Sequence, residues 1–216
     1  MTYSDITAHT SADARPACEV AGIRITAVED VVVDLARVLP PAFGLAVADA
    51  ALRMYGLDRQ RLWDRAAGQR NAFGLRRAES TLTRATPLAE SPGESISRAV
   101  IDWCGFPAPA LQTEHRLEGR TFRSDFCWPE QRIIGEADGW VKYSATDAAA
   151  AAEAVRAEKR REDALRRGGW RIARWDYAGA LGADGLRSAL IAAGLRPVRW
   201  PDLTALASLN RNSRSR

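Results

Sequence analysis

The residues with most chemistry to offer lie in one short run, RTFRSDFCWPEQRIIGEADGWVKY, which holds Asp125, Glu136 and Asp138. Trp128-Pro129-Glu130-Gln131 reads as a turn, because proline's fixed φ suits the second position of type I and II turns. Its flanks read as two antiparallel strands. With the hairpin centred between Pro129 and Glu130, Asp125 faces Ile134 and Arg123 faces Glu136. Residues opposite one another share a sheet face, and so do residues two apart on one strand. That register puts Asp125, Glu136 and Asp138 on one face, with Asp125 and Glu136 diagonal neighbours roughly 6–8 Å apart between β-carbons. Phe122, Phe126, Ile133 and Ala137 fall on the other face, as core.

Three carboxylates on one face repel one another unless a cation sits among them. Mg²⁺, or Mn²⁺ in its place, suits such a set, since one or two carboxylates hold it together with waters and phosphate oxygens. A cation so held polarises a phosphoryl oxygen and lowers the pKa of bound water. Lys142, four residues past Asp138, is placed to add positive charge near a scissile phosphate. The same acids also fit a plainer role as solvated charges on a half-exposed sheet. Asp138-Gly139 is also a turn signal.

Glu94 has two readings. Ser91-Pro92-Gly93-Glu94 is a capping box, with Ser91 as cap and Glu94 at the third helical position. If that helix end lies beside the sheet face, Glu94 joins the acids instead. Of 31 basic residues only Lys142 and Lys159 are lysines, which marks both for chemistry that wants a compact point charge. His9 and His115 stand alone, without metal-ligand spacing. No glycine-rich phosphate loop or nucleophile elbow is present.

These residues need elements to position them. From Ser91 onward the pattern reads helix, three strands (around 111–117, 120–128 and 131–140), a long charged helix ended by glycines, a strand WRIARWDY, and a last helix GLRSALIAAG. The charge-rich helix reads first as a solvated face of spaced ion pairs, and second as a track for a phosphate backbone. Residues 1–20 are polar and without period, a loose leader. Residues 21–90 read as a small helical region: a short strand at Ile23–Ile25, Thr26 as a cap, and helices broken at Pro40-Pro41 and Gly56. Residues 91–196 form the α/β domain, and 197–216 a basic tail whose last part, ALASLNRNSRSR, frays.

Composition sets the class. At 46% hydrophobic and 27% charged, the chain suits a globular protein with a real core. Apolar stretches fall short of a membrane span, and no secretory signal is evident. Three widely spaced cysteines argue against a disulfide framework and fit a reducing cytoplasm. The expected location is cytoplasmic, with no membrane partner.

The stretch SPGES, GFPAPALQ, FRSDFCWPEQRIIGEADGWVKY and EKRREDALRRGGWRIARW resembles the very-short-patch-repair-like group of PD-(D/E)XK endonuclease folds, a domain found in actinobacteria. The resemblance covers about residues 88–195. It implies a restriction-endonuclease-like core, α-β-β-β-α-β with a mixed sheet flanked by helices. It implies a Mg²⁺- or Mn²⁺-dependent endonuclease acting on DNA in restriction, repair or phage defence. Asp125 would take the family's first acid position, Glu136 its second, and Glu94 the acid on the leading helix. Gln112 falls at a strand-entry glutamine, and Arg123 and Lys159 are further candidates for substrate contact. The chain departs from the pattern at the lysine two residues after the second acid, where Asp138 stands. Lys142 is the candidate to replace it. Within the first 90 residues, GIRITAVEDVVVDLA is similar to proteins related to type IV toxin–antitoxin antitoxins of the abortive-infection class. That similarity supplies the alternative: a catalytically inactive nuclease fold that binds DNA, a partner toxin or a second copy as a regulator.

Overall fold

The computed structural model describes residues 2–3, 6–7, 11–138 and 148–211. The chain divides into two compact units, the first up to Pro92 together with Arg211 and the second spanning Gly93–Asn210.

In the first unit, β1 (Thr2–Tyr3) pairs with β2 (Ile6–Thr7), and β3 (Ala17–Val20) pairs antiparallel with β4 (Ile23–Thr26). Ala21 and Gly22, with φ of 51° and 79°, join β3 to β4. Positive φ at both turn positions matches the right-handed twist of a two-residue hairpin. The expected loose leader is therefore partly a hairpin strand. Alternation was absent from Ala-Cys-Glu-Val because both its faces are exposed. The helix α1 (Val28–Val38) starts after Ala27 with no side-chain cap, so Thr26 ends the strand and does not cap the helix. It is followed by α2 (Pro41–Tyr55), α3 (Arg59–Ala67) and α4 (Leu75–Leu82). Pro41 begins α2, where its missing N–H has no helical partner to lose. Two buried charges tie these helices. Asp30 accepts both guanidinium arms of Arg65 at 2.6 and 2.7 Å, and Arg37 donates to the carbonyls of Ala66, Asn71 and Phe73.

The second unit is mixed α/β. Its elements are α5 (Pro92–Trp103), β5 (Ala110–Leu117), β6 (Arg120–Trp128), β7 (Ile133–Asp138), α6 (Ala148–Arg167) and β8 (Arg171–Asp176). After them come α7 (Tyr177–Leu181), α8 (Asp184–Ala192), α9 (Leu203–Ala207) and a 3₁₀ turn at Leu209–Arg211. The sheet order is β5-β6-β7-β8. The first three strands are antiparallel neighbours, and β8 runs parallel to β7, as a helical crossover permits.

Helices cover this sheet from two sides. Trp175 of β8 donates its indole N–H to Ser97 Oγ of α5 at 2.8 Å. Its strand neighbour Arg174 points the other way, to Glu158 and Glu162 of α6. Ile133, Ile134, Phe126, Leu165, Leu186 and Leu190 are fully buried between these layers. Gly135 is required here: a β-carbon on it would lie 2.7 Å from the Trp175 ring and 3.1 Å from Phe126.

The hairpin register differs from the expected one. Phe126 pairs with Gly135, Cys127 with Ile134 and Trp128 with Ile133. The connection is thus the four residues Pro129–Arg132, closed by Arg132 N–H donating to the Pro129 carbonyl, with Arg132 at φ 51°. A left-handed arginine carries none of the sequence signal that Gly or Asn would give. The register slides by two residues, so Asp125 stands opposite Glu136 and not Ile134. Because the slide is even, parity across the hairpin is kept. Phe122 and Phe126 do not share a side, however. Phe126 stacks on Trp175, whereas Phe122 lines a hollow with Arg160 and Ala164 of α6. Gln112, with φ 49°, is the one β5 residue between Leu111↔Phe126 and Thr113↔Ser124 left unpaired with β6, while the register on either side of it is the same.

Two further expectations give way. WRIARWDY ends as strand at Asp176, whose side chain caps α7 by accepting from Gly179 N–H at 2.7 Å. The stretch expected to fray is partly helical, in α9 and the 3₁₀ turn at Leu209–Arg211. Asp202 caps α9, and backbone bonds from Val198 and Asp202 reach Gly105 and Trp103.

Candidate functional site

Three elements carry the acids expected at the site, and Glu94 and Glu136 both act electrostatically on Asp125. Glu94 comes from the first turn of α5, Asp125 from β6 and Glu136 from β7. Glu94 and Glu136 are buried, at 8% and 6% exposure, and Asp125 is half-buried. Burial at these positions is unusual for acids and demands compensation.

Asp125 shows the least compensation. Its Oδ2 accepts from the backbone N–H of Ala137 at 3.0 Å. Even so, its carboxyl is raised to about 6. Burial is the main cause and the nearby Glu94 charge the next, while the Ala137 bond opposes them and Glu136 adds a smaller push upward. Glu94 is bonded by Gln112, whose Nε2 donates to Oε2 at 2.9 Å. The distorted backbone of Gln112 thus sits where β5 meets the acids, and its amide ties α5 to the sheet.

Glu136 is compensated heavily. Arg161 of α6 lies 2.7 Å from one of its oxygens, and Arg174 of β8 lies 2.9 Å from the other. The parallel register sets Glu136 beside Arg174. Both arginines also reach Glu158, and Arg174 reaches Glu162 at 3.5 Å. Hydrogen bonding from Arg161, against an opposing burial effect, holds the Glu158 carboxyl below the usual range. The arginines gain correspondingly: Arg161 is pushed up, chiefly by its Glu158 bond. These two arginines and Glu158 are functional candidates that spacing alone did not identify. A signal existed in Glu158, Arg161, Glu162 and Leu165, which follow the i, i+3, i+4, i+7 spacing of an inward helix face.

The remaining expected residues are scattered. Asp138 is exposed, pairs in register with Asp176, and acts electrostatically on Arg174. Arg123 is exposed and opposite Glu114. Lys159 is exposed on α6, away from the inward face that carries Glu158 and Arg161. Lys142 lies outside the described residues, as does His9. His115 is buried, bonded to Ser124 Oγ at 2.8 Å and edge-on to Trp170, and burial lowers its pKa. It is a core histidine. Among the described residues, no group of three or more His, Cys, Asp or Glu side chains converges closely enough to hold a metal ion. Asp125 remains under-compensated, with Glu94 acting on it electrostatically.

Fold and site together define a mixed α/β unit whose four-stranded sheet, flanked by helices, carries a half-buried acid cluster at β6, β7 and the start of α5. Two proteins of Mycobacterium tuberculosis, from strains CDC 1551 and H37Rv and both named only as uncharacterized, are 37% identical to the chain over 118 residues. The match takes in 54% of this chain and 44% of each relative, so the chain spans less than half of their length. No family model and no solved structure matches the chain. No described helix is long and apolar enough to cross a membrane.

Proposed function

We propose that the second unit is a restriction-endonuclease-like domain that hydrolyses DNA phosphodiester bonds with the help of Mg²⁺ or Mn²⁺. The observation that carries this reading is Asp125, a half-buried acid raised to about 6 by burial and by Glu94. A buried carboxyl that resists ionisation beside a second acid is what a cation relieves. The helix-strand-strand-strand-helix-strand order from α5 to β8 is consistent with such a core. The donor set fits a hard divalent ion through Glu94 and Asp125, since Mg²⁺ is commonly held by one or two carboxylates. When bound, it would polarise the phosphate and acidify water.

The chain's own residues have separate tasks. The Ala137 amide fixes Asp125 Oδ2, and Gln112 fixes Glu94. A carboxyl raised to about 6 is still largely ionised at neutral pH, so Asp125 suits the role of a cation ligand. Glu136, neutralised by Arg161 and Arg174, sets the local potential instead of lending a free ligand. Lys142 would supply charge at the phosphate.

The test is cleavage of supercoiled, linear and single-stranded DNA by the full chain with Mg²⁺ or Mn²⁺, alongside Asp125→Asn. Cleavage by wild type and its loss in the variant are expected. The reading fails if wild type cuts none of these forms, or if Asp125→Asn cuts equally well. Thermal shift with Mn²⁺, lost in the variant, gives an independent readout.

The arginine clamp on Glu136 favours a second reading, a nuclease fold that binds DNA without cutting it. It requires salt-dependent DNA binding that is unchanged in Asp125→Asn.

A further inference from the structure

A second feature of the same unit lies along the open edge of the sheet. Among the described residues, β8 has a neighbour on one side only, β7. Arg171 N–H donates inward to the Arg132 carbonyl, so Ile172 and Arg174 turn their backbone groups to the open side. Between α6 and α8 this edge forms a hollow of about 340 Å³, within the range of small-ligand sites. Its wall is Ala189, Ala192 and Ala193, and its charged lining is Arg166, Arg171 and Arg174, with no carboxylate among the lining residues.

The arginines are unequally satisfied. Arg166 is paired with Glu162 at 2.6 Å, and Arg174 is shared among Glu136, Glu158 and Glu162. Arg171 donates to one backbone carbonyl, that of Gln131, at 2.8 Å and has no carboxylate partner among the described residues. A guanidinium carries five N–H donors in a planar fork that matches a phosphate. The small alanines leave room beside it. Here the geometry points to a binding site for a phosphomonoester, gripped by Arg171 and Arg166 and sensed by Arg174. Because Arg174 also holds Glu136, an anion in the hollow draws on the same charge that clamps the acid cluster. The binding claim does not depend on the nuclease reading.

The group could be the end of a nucleic-acid strand or a free nucleotide. The experiment compares binding of a short oligonucleotide with a 5′-phosphate and the same oligonucleotide with a 5′-hydroxyl to the full chain, by fluorescence anisotropy. Thymidine monophosphate and inorganic phosphate serve as competitors. Tighter binding of the phosphorylated strand is expected, weakened roughly tenfold or more by Arg171→Gln and by Arg166→Gln, as loss of a charge-assisted bond requires. Arg156→Gln, on the exposed part of α6, should bind as wild type. Competition by the mononucleotide at concentrations matching the strand assigns a free nucleotide; competition only at far higher concentrations assigns a strand end. The site is refuted if both oligonucleotides bind alike, or if Arg171→Gln and Arg166→Gln both bind as wild type. It is also refuted if Arg156→Gln weakens binding as much as they do. Thermal melts of each variant separate lost binding from lost fold.

Discussion

Arg174 stands beside Glu136 in the parallel register and donates to its carboxylate at 2.9 Å, while reaching across to Glu158 on α6. One guanidinium thus ties β7, β8 and the crossover helix. Glu136 is nearly sealed from water, so its charge depends on this contact and on Arg161. Replacing Arg174 by Met keeps the stem and removes the charge. Arg161 remains, and Arg174 is itself partly exposed, so the loss falls below that of a fully buried pair. Urea unfolding of Arg174→Met should show a destabilisation of about 1–3 kcal/mol. Glu136→Gln in the same background should recover part of it, because the uncompensated charge is gone. No recovery would mean that the clamp acts through packing.

Asp125 fixes the sign of a pH dependence. Its carboxyl is raised from 3.8 to about 6, so the folded chain holds a proton that the unfolded chain has released. Stability from this group is therefore greatest below about pH 4 and falls as pH rises to about 6, by up to about 3 kcal/mol. Asp125→Asn should flatten that stretch of the curve. At pH 7 the variant should be more stable than wild type by about 1–3 kcal/mol. Chemical denaturation of both proteins between pH 4 and 7.5 measures this. A wild-type curve that rises with pH where the variant is flat would refute the raised carboxyl.

How far the sequence reached can be judged from these residues. The element order from α5 to β8 was legible, because period-2 and period-3.6 patterns alternate there with glycine and proline punctuation, whereas the short α7 and α9 were not. The neighbourhood of Asp125 and Glu136 was legible from hairpin parity, even with the register displaced by two. The displacement was hidden because Arg132, at φ 51°, extends the loop without a glycine to announce it. The partners of Glu136 were hidden for another reason. Arg161 and Arg174 lie 25 and 38 residues away and meet Glu136 only when a parallel strand docks. Charge-rich helices look alike whether their charges face water or a buried acid. The inward turn of Glu158 and Arg161 needed the sheet to show it. So did the bond from Gln112 to Glu94, because the capping-box context at the start of α5 gave no hint of it.

Gly135 separates packing from chemistry. A β-carbon there would press on Trp175, Phe126 and Trp128 at 2.7 to 3.1 Å. The indole of Trp175 is bonded to Ser97 and cannot retreat without losing that bond. Gly135→Ala should therefore cost about 1–3 kcal/mol by overpacking, although alanine suits a strand better than glycine does. A thermal melt checks it, and an unchanged or higher Tm would contradict the contact.

Glu94 is the second-largest reason, after burial, that the Asp125 carboxyl is raised. Glu94→Gln removes the charge and keeps the shape, and the new amide can still bond Gln112 through its oxygen. The Asp125 titration should then move down toward the ordinary carboxylate range, leaving the part due to burial. Carboxyl NMR of the wild type and of Glu94→Gln reads the midpoint directly. An Mn²⁺ titration of the same samples adds the second half: if the two acids share an ion, the stabilisation it gives should shrink in Glu94→Gln as well as in Asp125→Asn. A midpoint that does not move would separate Glu94 from Asp125. An Mn²⁺ response retained in full by Glu94→Gln but lost in Asp125→Asn would leave Asp125 to hold the ion without it, and would return Glu94 to its capping role at the start of α5.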